Sequence, residues 1–86
     1  MEMARFQKKP VVVEAIKVKA WDVDRVASWC GGTVARNENK HARGIDITTL
    51  EGTMRAEIGD FVICGVKGEF HPCKPDIFEA TYVEVA

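Results

Sequence analysis

The chain is short of several features, and each shortage excludes a class of protein. Its 86 residues carry a net charge of −1, without the basic excess of proteins that bind long nucleic acid or anionic membrane surfaces. No apolar run approaches the roughly 20 residues that a membrane-spanning helix needs. The basic N-terminus lacks the apolar segment of a signal peptide, because Glu14, Lys17 and Lys19 interrupt the residues that follow it. We therefore expect a protein of the cytoplasm that does not contact a membrane.

Cysteine and proline are also scarce, with three residues of each. An odd number of cysteines without an export signal indicates reduced thiols and not a disulfide framework. Hydrophobic residues make up 47% of the chain and charged residues 29%, which is the composition of a folded globular protein. A chain of this length has room for one domain, so we predict a single domain over residues 1–86.

The most informative stretch is GDFVICGVKGEFHPCKPDIFEATY, in the C-terminal third. It predicts a strand, a two-residue reversal at Lys67-Gly68, a second strand and a short helix that begins at Pro75. This turn would place Cys64 opposite His71. Alternation along the two strands would then form an apolar face that we expect in the core, made of Phe61, Ile63, Gly65, Phe70 and Pro72.

Two elements are predicted in the N-terminal half. Residues 10–18 are rich in β-branched side chains and predict a strand. Asp22 is a good N-cap for a helix over 23–30, in which apolar residues recur with helical spacing. The pair Gly31-Gly32 is expected to end this helix.

A hairpin is predicted over residues 45–58, where apolar and polar residues alternate. A turn at Glu51-Gly52 would place Asp46 opposite Glu57. Because like charges in that position repel, either the register differs or a cation lies between the two carboxylates.

These elements together predict an α+β fold. We expect a small curved antiparallel sheet or a partly closed barrel, with one helix in the N-terminal half and one short C-terminal helix. Residues 82–86 are suited to a short strand at the edge of the sheet.

Two stretches, ARFQKKPVVVEAI (4–16) and EGTMRAEIGDFVICGVKGEFHPCKPDIFEATYVEV (51–85), resemble small uncharacterised proteins of tailed phages and prophages. The shared pattern is a KKPVVVEA strand and a C-terminal segment with "GD-aromatic", "KGE-aromatic" and PCKPDIFEATY. Related short proteins are grouped under the name PGDYG. The resemblance covers a little over half of the chain and implies a bacteriophage protein in the host cell cytoplasm, with no assigned catalytic residue. Viral proteins of this size are often host-takeover or anti-defence factors.

Catalytic and metal chemistry are the weaker interpretations. Cys30, Cys64, Cys73 and His71 supply enough zinc ligands but not the usual spacing. Cys64 or Cys73 activated by His71 would be a nucleophile, yet no surrounding motif supports it. We therefore expect no enzyme, no catalytic residue, no metal and no cofactor.

Binding is the class that the sequence favours. The first hypothesis is sequestration of a small phosphorylated ligand of nucleotide type, held between the subunits of a homo-oligomer. The candidate ligand-binding residues are cations that can meet phosphate and an aromatic residue that can stack on a base: Arg36, Lys40, Arg43, Lys67, His71, Lys74 and Trp21. The alternative is a protein–protein interaction module that occludes a host protein through a sheet edge or an exposed loop.

The polar loop over residues 36–44 has two interpretations. It has no apolar residue that could anchor it, which is typical of a mobile, solvated loop. The same composition would suit a flap that closes over an anion, since functional residues concentrate on loops.

Overall fold

The computed structural model describes residues 2–7 and 9–85. Within that part of the chain there are two helices and six strands, in the order β1 (Glu14–Lys17), α1 (Val23–Cys30), β2 (Thr33–Arg36), β3 (Ala42–Thr49), β4 (Gly52–Glu57), β5 (Phe61–Cys64), β6 (Phe70–Cys73) and α2 (Pro75–Thr81). The strands form two antiparallel three-stranded sheets, ordered β1-β5-β6 and β2-β3-β4. The α+β fold and both helices are confirmed. The strands divide into two sheets, neither of which closes into a barrel.

Helix α1 has the predicted bounds. Its buried residues are the predicted stripe of Val23, Val26, Ala27 and Cys30. Gly31 ends the helix with a left-handed φ of 67°, a conformation that glycine adopts without steric cost. Asp22 differs from the prediction, because its side chain makes no capping hydrogen bond and only its backbone carbonyl accepts from the first turn.

The core lies where α1 and the inner faces of both sheets meet. Its buried residues come from all three layers: Val18, Val23, Val26, Ala27, Cys30, Ile45, Ile47, Ala56 and Val62. Trp29 and Phe70 close one side, with their rings 5.0 Å apart in an edge-to-face arrangement. Phe70 therefore connects the β1-β5-β6 sheet to α1.

The β3–β4 hairpin has the predicted faces but a different register. Asp46 lies opposite Arg55 and not opposite Glu57, because Thr49 pairs with Gly52 and the turn falls one position earlier. The resulting shift of two residues leaves every side chain on its predicted face. Arg55 Nε donates to Asp46 Oδ1 at 2.6 Å, and this hydrogen bond lowers the pKa of Asp46. The predicted like-charge pair is thus replaced by an ion pair.

The register of the β5–β6 hairpin differs from the predicted register by one residue. Cys64 lies opposite Phe70, and Ile63 lies opposite His71. The two-residue turn does not form because the reversal starts earlier: the Gly68 N–H donates to the Gly65 carbonyl at 3.0 Å. A one-residue shift exchanges the faces of one strand relative to the other. Phe70 packs against the core as predicted, whereas Phe61 and Ile63 lie with His71 on the opposite, outer face.

The position of the β5–β6 turn also makes β1 shorter than the strand predicted over residues 10–18. A strand over 10–18 would need partners for residues 11–13, but the pairing of β1 with β5 would place Gly65 and the turn opposite them. The ladder therefore covers only Glu14–Lys17. At the other end of the chain, residues 82–85 form no strand, and Ala86 lies outside the described residues.

Candidate binding surface

The predicted cations Arg36, Lys40 and Arg43 lie on one hairpin, formed by β2 and β3. Arg36 Nη1 donates to the Lys40 carbonyl at 3.2 Å, and its Nη2 lies 3.5 Å from Asp24 Oδ1. The loop is a closed turn, since Asn37 Oδ1 accepts the N–H groups of Asn39 and His41, both at 2.9 Å. The hairpin loop is thus held by its own hydrogen bonds.

Lys74 is already paired with two carboxylates. Its Nζ donates to Glu57 Oε1 at 3.0 Å and to Asp60 Oδ2 at 3.1 Å. These two contacts raise the pKa of Lys74 above its ordinary value. Asp60 is buried, and it also accepts the N–H of Glu57 at 2.9 Å. The sequence-predicted phosphate ligand Lys74 is therefore the counter-ion of a buried acid.

The other three candidate residues lie on separate elements. Lys67 is exposed in the β5–β6 loop, and His71 is half-buried on the outer face of the β1-β5-β6 sheet. Trp21 is 81% exposed just before α1, with Lys19 Nζ 5.5 Å from its ring. Over residues 2–7 and 9–85, no hydrogen bond, ion pair or ring contact joins these three to each other, to Lys74 or to the β2–β3 cations.

The register separates Cys64 from His71 but leaves Cys73 on the same face as His71. Cys64 pairs with Phe70, whereas His71 and Cys73 lie on the other face of the hairpin. Burial, followed by the charges of Asp60 and Asp76, raises the pKa of the Cys73 thiol. A raised pKa keeps this thiol protonated at neutral pH, and the protonated form is a poor nucleophile. No cluster of three possible metal-ligating residues occurs in the described part of the chain.

A groove that was not predicted lies over the outer face of the β1-β5-β6 sheet. Its floor consists of Ala15, Phe61, Ile63 and His71. One wall is the segment over 9–13, and the other is the end of α2 with residues 82–85. Two adjoining hollows, of about 420 and 620 Å³, share these walls. We call this surface the outer groove.

An aromatic stack builds one end of the outer groove. Phe78 of α2 lies on Phe61 of β5 with ring centroids 3.9 Å apart and an angle of 11° between their planes. Tyr82 stacks on the other side of Phe78 at 5.0 Å. Pro75 starts α2 at the predicted position, and this stack attaches the short helix to the sheet. Strand β5 and α2 therefore hold this aromatic end of the groove in place.

The walls of the outer groove leave large apolar side chains in contact with water. The exposed fraction is 48% for Val11, 76% for Val12, 87% for Val83 and 64% for Val85. Three charged residues also line the groove: Lys9 in one wall, Glu69 in the β5–β6 loop and Glu84 in the C-terminal segment. Such a surface is suited to a ligand that is itself largely apolar.

Sequence reasoning missed the outer groove because three distant segments form it. A signal was present in Val11-Val12-Val13, a run with strong strand propensity that extends beyond the residues β5 can pair. His71 is the one predicted site residue that lines the groove.

No described helix is both long and apolar enough to cross a bilayer. Comparisons of the chain with protein-family models, with curated proteins and with solved structures find no match.

Proposed function

We propose that this chain is a non-enzymatic interaction module that binds a partner protein through the outer groove. The observation that carries the proposal is the exposure of Val11, Val12, Val83 and Val85 around one apolar concavity. Exposed apolar residues that are scattered singly are ordinary, whereas a contiguous group marks an interaction surface. The predicted cations offer a poorer site, because Lys74 and Arg36 already contact carboxylates.

The edge of β1 beside the outer groove offers the partner a backbone ladder. Strand β1 pairs only with β5 among the described strands, so one of its edges is open. Val18 N–H donates to the Asp60 carbonyl at 2.8 Å, and pairing alternates along an antiparallel strand. The peptide groups of Ala15 and Lys17 therefore face the open edge. An extended partner segment can add a strand there and place alternate side chains in the groove.

The biological setting of the proposal rests on the resemblance to tailed-phage and prophage proteins. We propose that the partner is a protein of the bacterial host, met in the host cytoplasm, and that occluding it serves host takeover or anti-defence. Lys9 and Pro10 of the KKPVVVEA segment, together with its valines, line the groove. The segment that carries the resemblance is thus also part of the proposed binding surface.

The substitution Val83→Glu tests this function. Val83 lines both hollows and is 87% exposed, so the variant should fold like the parent. A charge in the groove should weaken partner binding at least about tenfold, equivalent to about 1.4 kcal/mol. The measurement is a pull-down from host lysate with the retained protein identified by mass spectrometry, followed by titration of the purified pair.

Leu50→Glu is the matched control, since Leu50 is 105% exposed in the β3–β4 turn and does not line the groove. The proposal requires that the parent and the control retain the same host protein and that Val83→Glu loses it. Equal retention by all three proteins would refute the proposal.

A second candidate function is the sequestration of a small phosphorylated ligand at the β2–β3 hairpin. It is favoured by Arg36 and Lys40, which are in contact, and by Arg43 on the adjoining strand. Lys40 and Arg43 make no ion pair with any described residue. Their charges are thus available for phosphate.

A thermal-shift panel of nucleotides tests this second function. A ligand at a hundredfold excess over its Kd should stabilise the parent by about 2.7 kcal/mol. The combined Arg36/Lys40/Arg43→Ala variant should melt near the parent and lose the ligand-induced shift. If no nucleotide shifts the parent, the second function is excluded for the nucleotides tested.

A further inference from the structure

We infer that the outer groove of one copy binds residues 2–7 of a second copy when no other partner is present. This segment is called the arm. The inference rests on the proposed function of the groove, and it adds the regulation of that surface: self-association would compete with partner binding.

The arm projects from the body of the protein. All of its residues are exposed, with Met3 at 89% and Phe6 at 93%. The radius of gyration is 15.0 Å, compared with about 12 Å for a compact domain of this length. The longest dimension is 56 Å, against 22 Å for the shortest. The arm thus exposes a phenylalanine that nothing in its own copy covers among the described residues.

A second copy is a better recipient than the arm's own groove. Residues 9–13, which follow the arm, already form a wall of that groove. Folding back would require a reversal at the start of this wall, but Pro10 restricts the residue before it to extended conformations. No residue of the arm lines the groove of its own copy. An extended segment that leaves one groove can reach the groove of another copy without such a reversal.

The charges of the arm can orient it in the groove but give no net attraction. Residues 2–7 contain one base, Arg5, and one acid, Glu2, so the arm is neutral. The groove lining contains the acids Glu69 and Glu84 and the base Lys9. A contact between Arg5 and one of these acids would orient the arm.

Phe6 is the residue of the arm that we expect to insert into the groove of the second copy. The smaller hollow, of about 420 Å³, has Phe61, Phe78 and Tyr82 in its lining, so an inserted ring would contact aromatic side chains. Two copies related by a twofold axis could exchange arms reciprocally, and both grooves would then be filled. Such an interface closes on itself and yields a dimer.

Sedimentation equilibrium of the full chain over a range of concentrations tests the inference. The parent should reach a dimer, and Phe6→Ala should weaken dimerisation at least about tenfold, the loss expected for an anchoring aromatic residue. Leu50→Ala, an exposed apolar truncation far along the chain from the arm, should dimerise like the parent. Because Phe6 is 93% exposed, circular dichroism of the variant should match the parent.

Two results would overturn the inference: a parent that is monomeric at every concentration, and a Phe6→Ala variant that dimerises as tightly as the parent. The host pull-down distinguishes this inference from the function on which it rests. A monomeric parent that still retains a host protein sensitive to Val83→Glu would refute arm exchange alone.

Discussion

Ile45→Ala should lower the free energy of unfolding by about 2–5 kcal/mol, the range for truncating a buried isoleucine. Ile45 is completely buried on β3, in the core that α1 and both sheets share. Its surroundings are tight: a Cβ added at Gly32 would lie 2.7 Å from Ile45 Cγ2. Urea denaturation of the two proteins measures the loss.

Leu50→Ala is the control for this substitution. Leu50 is fully exposed in the β3–β4 turn, so its truncation should change stability by at most about 0.5 kcal/mol. Equal effects of the two substitutions would contradict the placement of the core between α1 and the two sheets.

Asp60→Ala should have the second largest effect, a loss of about 1.5–3 kcal/mol, the usual magnitude for a hydrogen bond to a charged group. Only 4% of Asp60 is exposed, and its carboxylate accepts from the Glu57 N–H and from Lys74 Nζ. The first contact closes the turn between β4 and β5, and the second attaches the start of α2. Removing the carboxylate releases both. Thermal and urea unfolding of the variant measure the loss.

Asp24→Ala is the matched control, because Asp24 also accepts from a cation but its side chain is 81% exposed. Ion pairs of this kind contribute little, so stability should change by at most about 0.5 kcal/mol. If Asp60→Ala were as mild as Asp24→Ala, the contacts of the buried Asp60 carboxylate would not support this turn.

Local patterns in the sequence predicted the parts of the fold that depend on local physics. The helical spacing over 23–30 and the glycine at its end determined α1, and strict alternation determined the faces of the β3–β4 hairpin. The register of β5–β6 depended on where the chain reverses. Gly68 fits both a two-residue turn and the longer reversal that forms, and a single residue of difference moved Phe61 and Ile63 from the face of Phe70 to the face of His71.

The binding surface was beyond prediction because it depends on tertiary contacts. Lys74 looked available for phosphate in the sequence, but folding brings it to Asp60, 14 positions earlier. The outer groove requires residues from both ends of the chain to meet over one sheet face. The valine run before β1 predicted a strand, and only the pairing of β1 with β5 shows that residues 11–13 extend beyond it.

Hydrogen–deuterium exchange of the chain alone and bound to the host protein retained in the pull-down tests the central claim most directly. If the partner binds in the outer groove, protection on binding should concentrate in the wall over residues 11–13, at Ala15 and Lys17 on the open edge of β1, and in residues 82–85. The β2–β3 loop over 37–41 should exchange equally in both states. Protection confined to that loop, with unchanged exchange around the groove, would contradict the account.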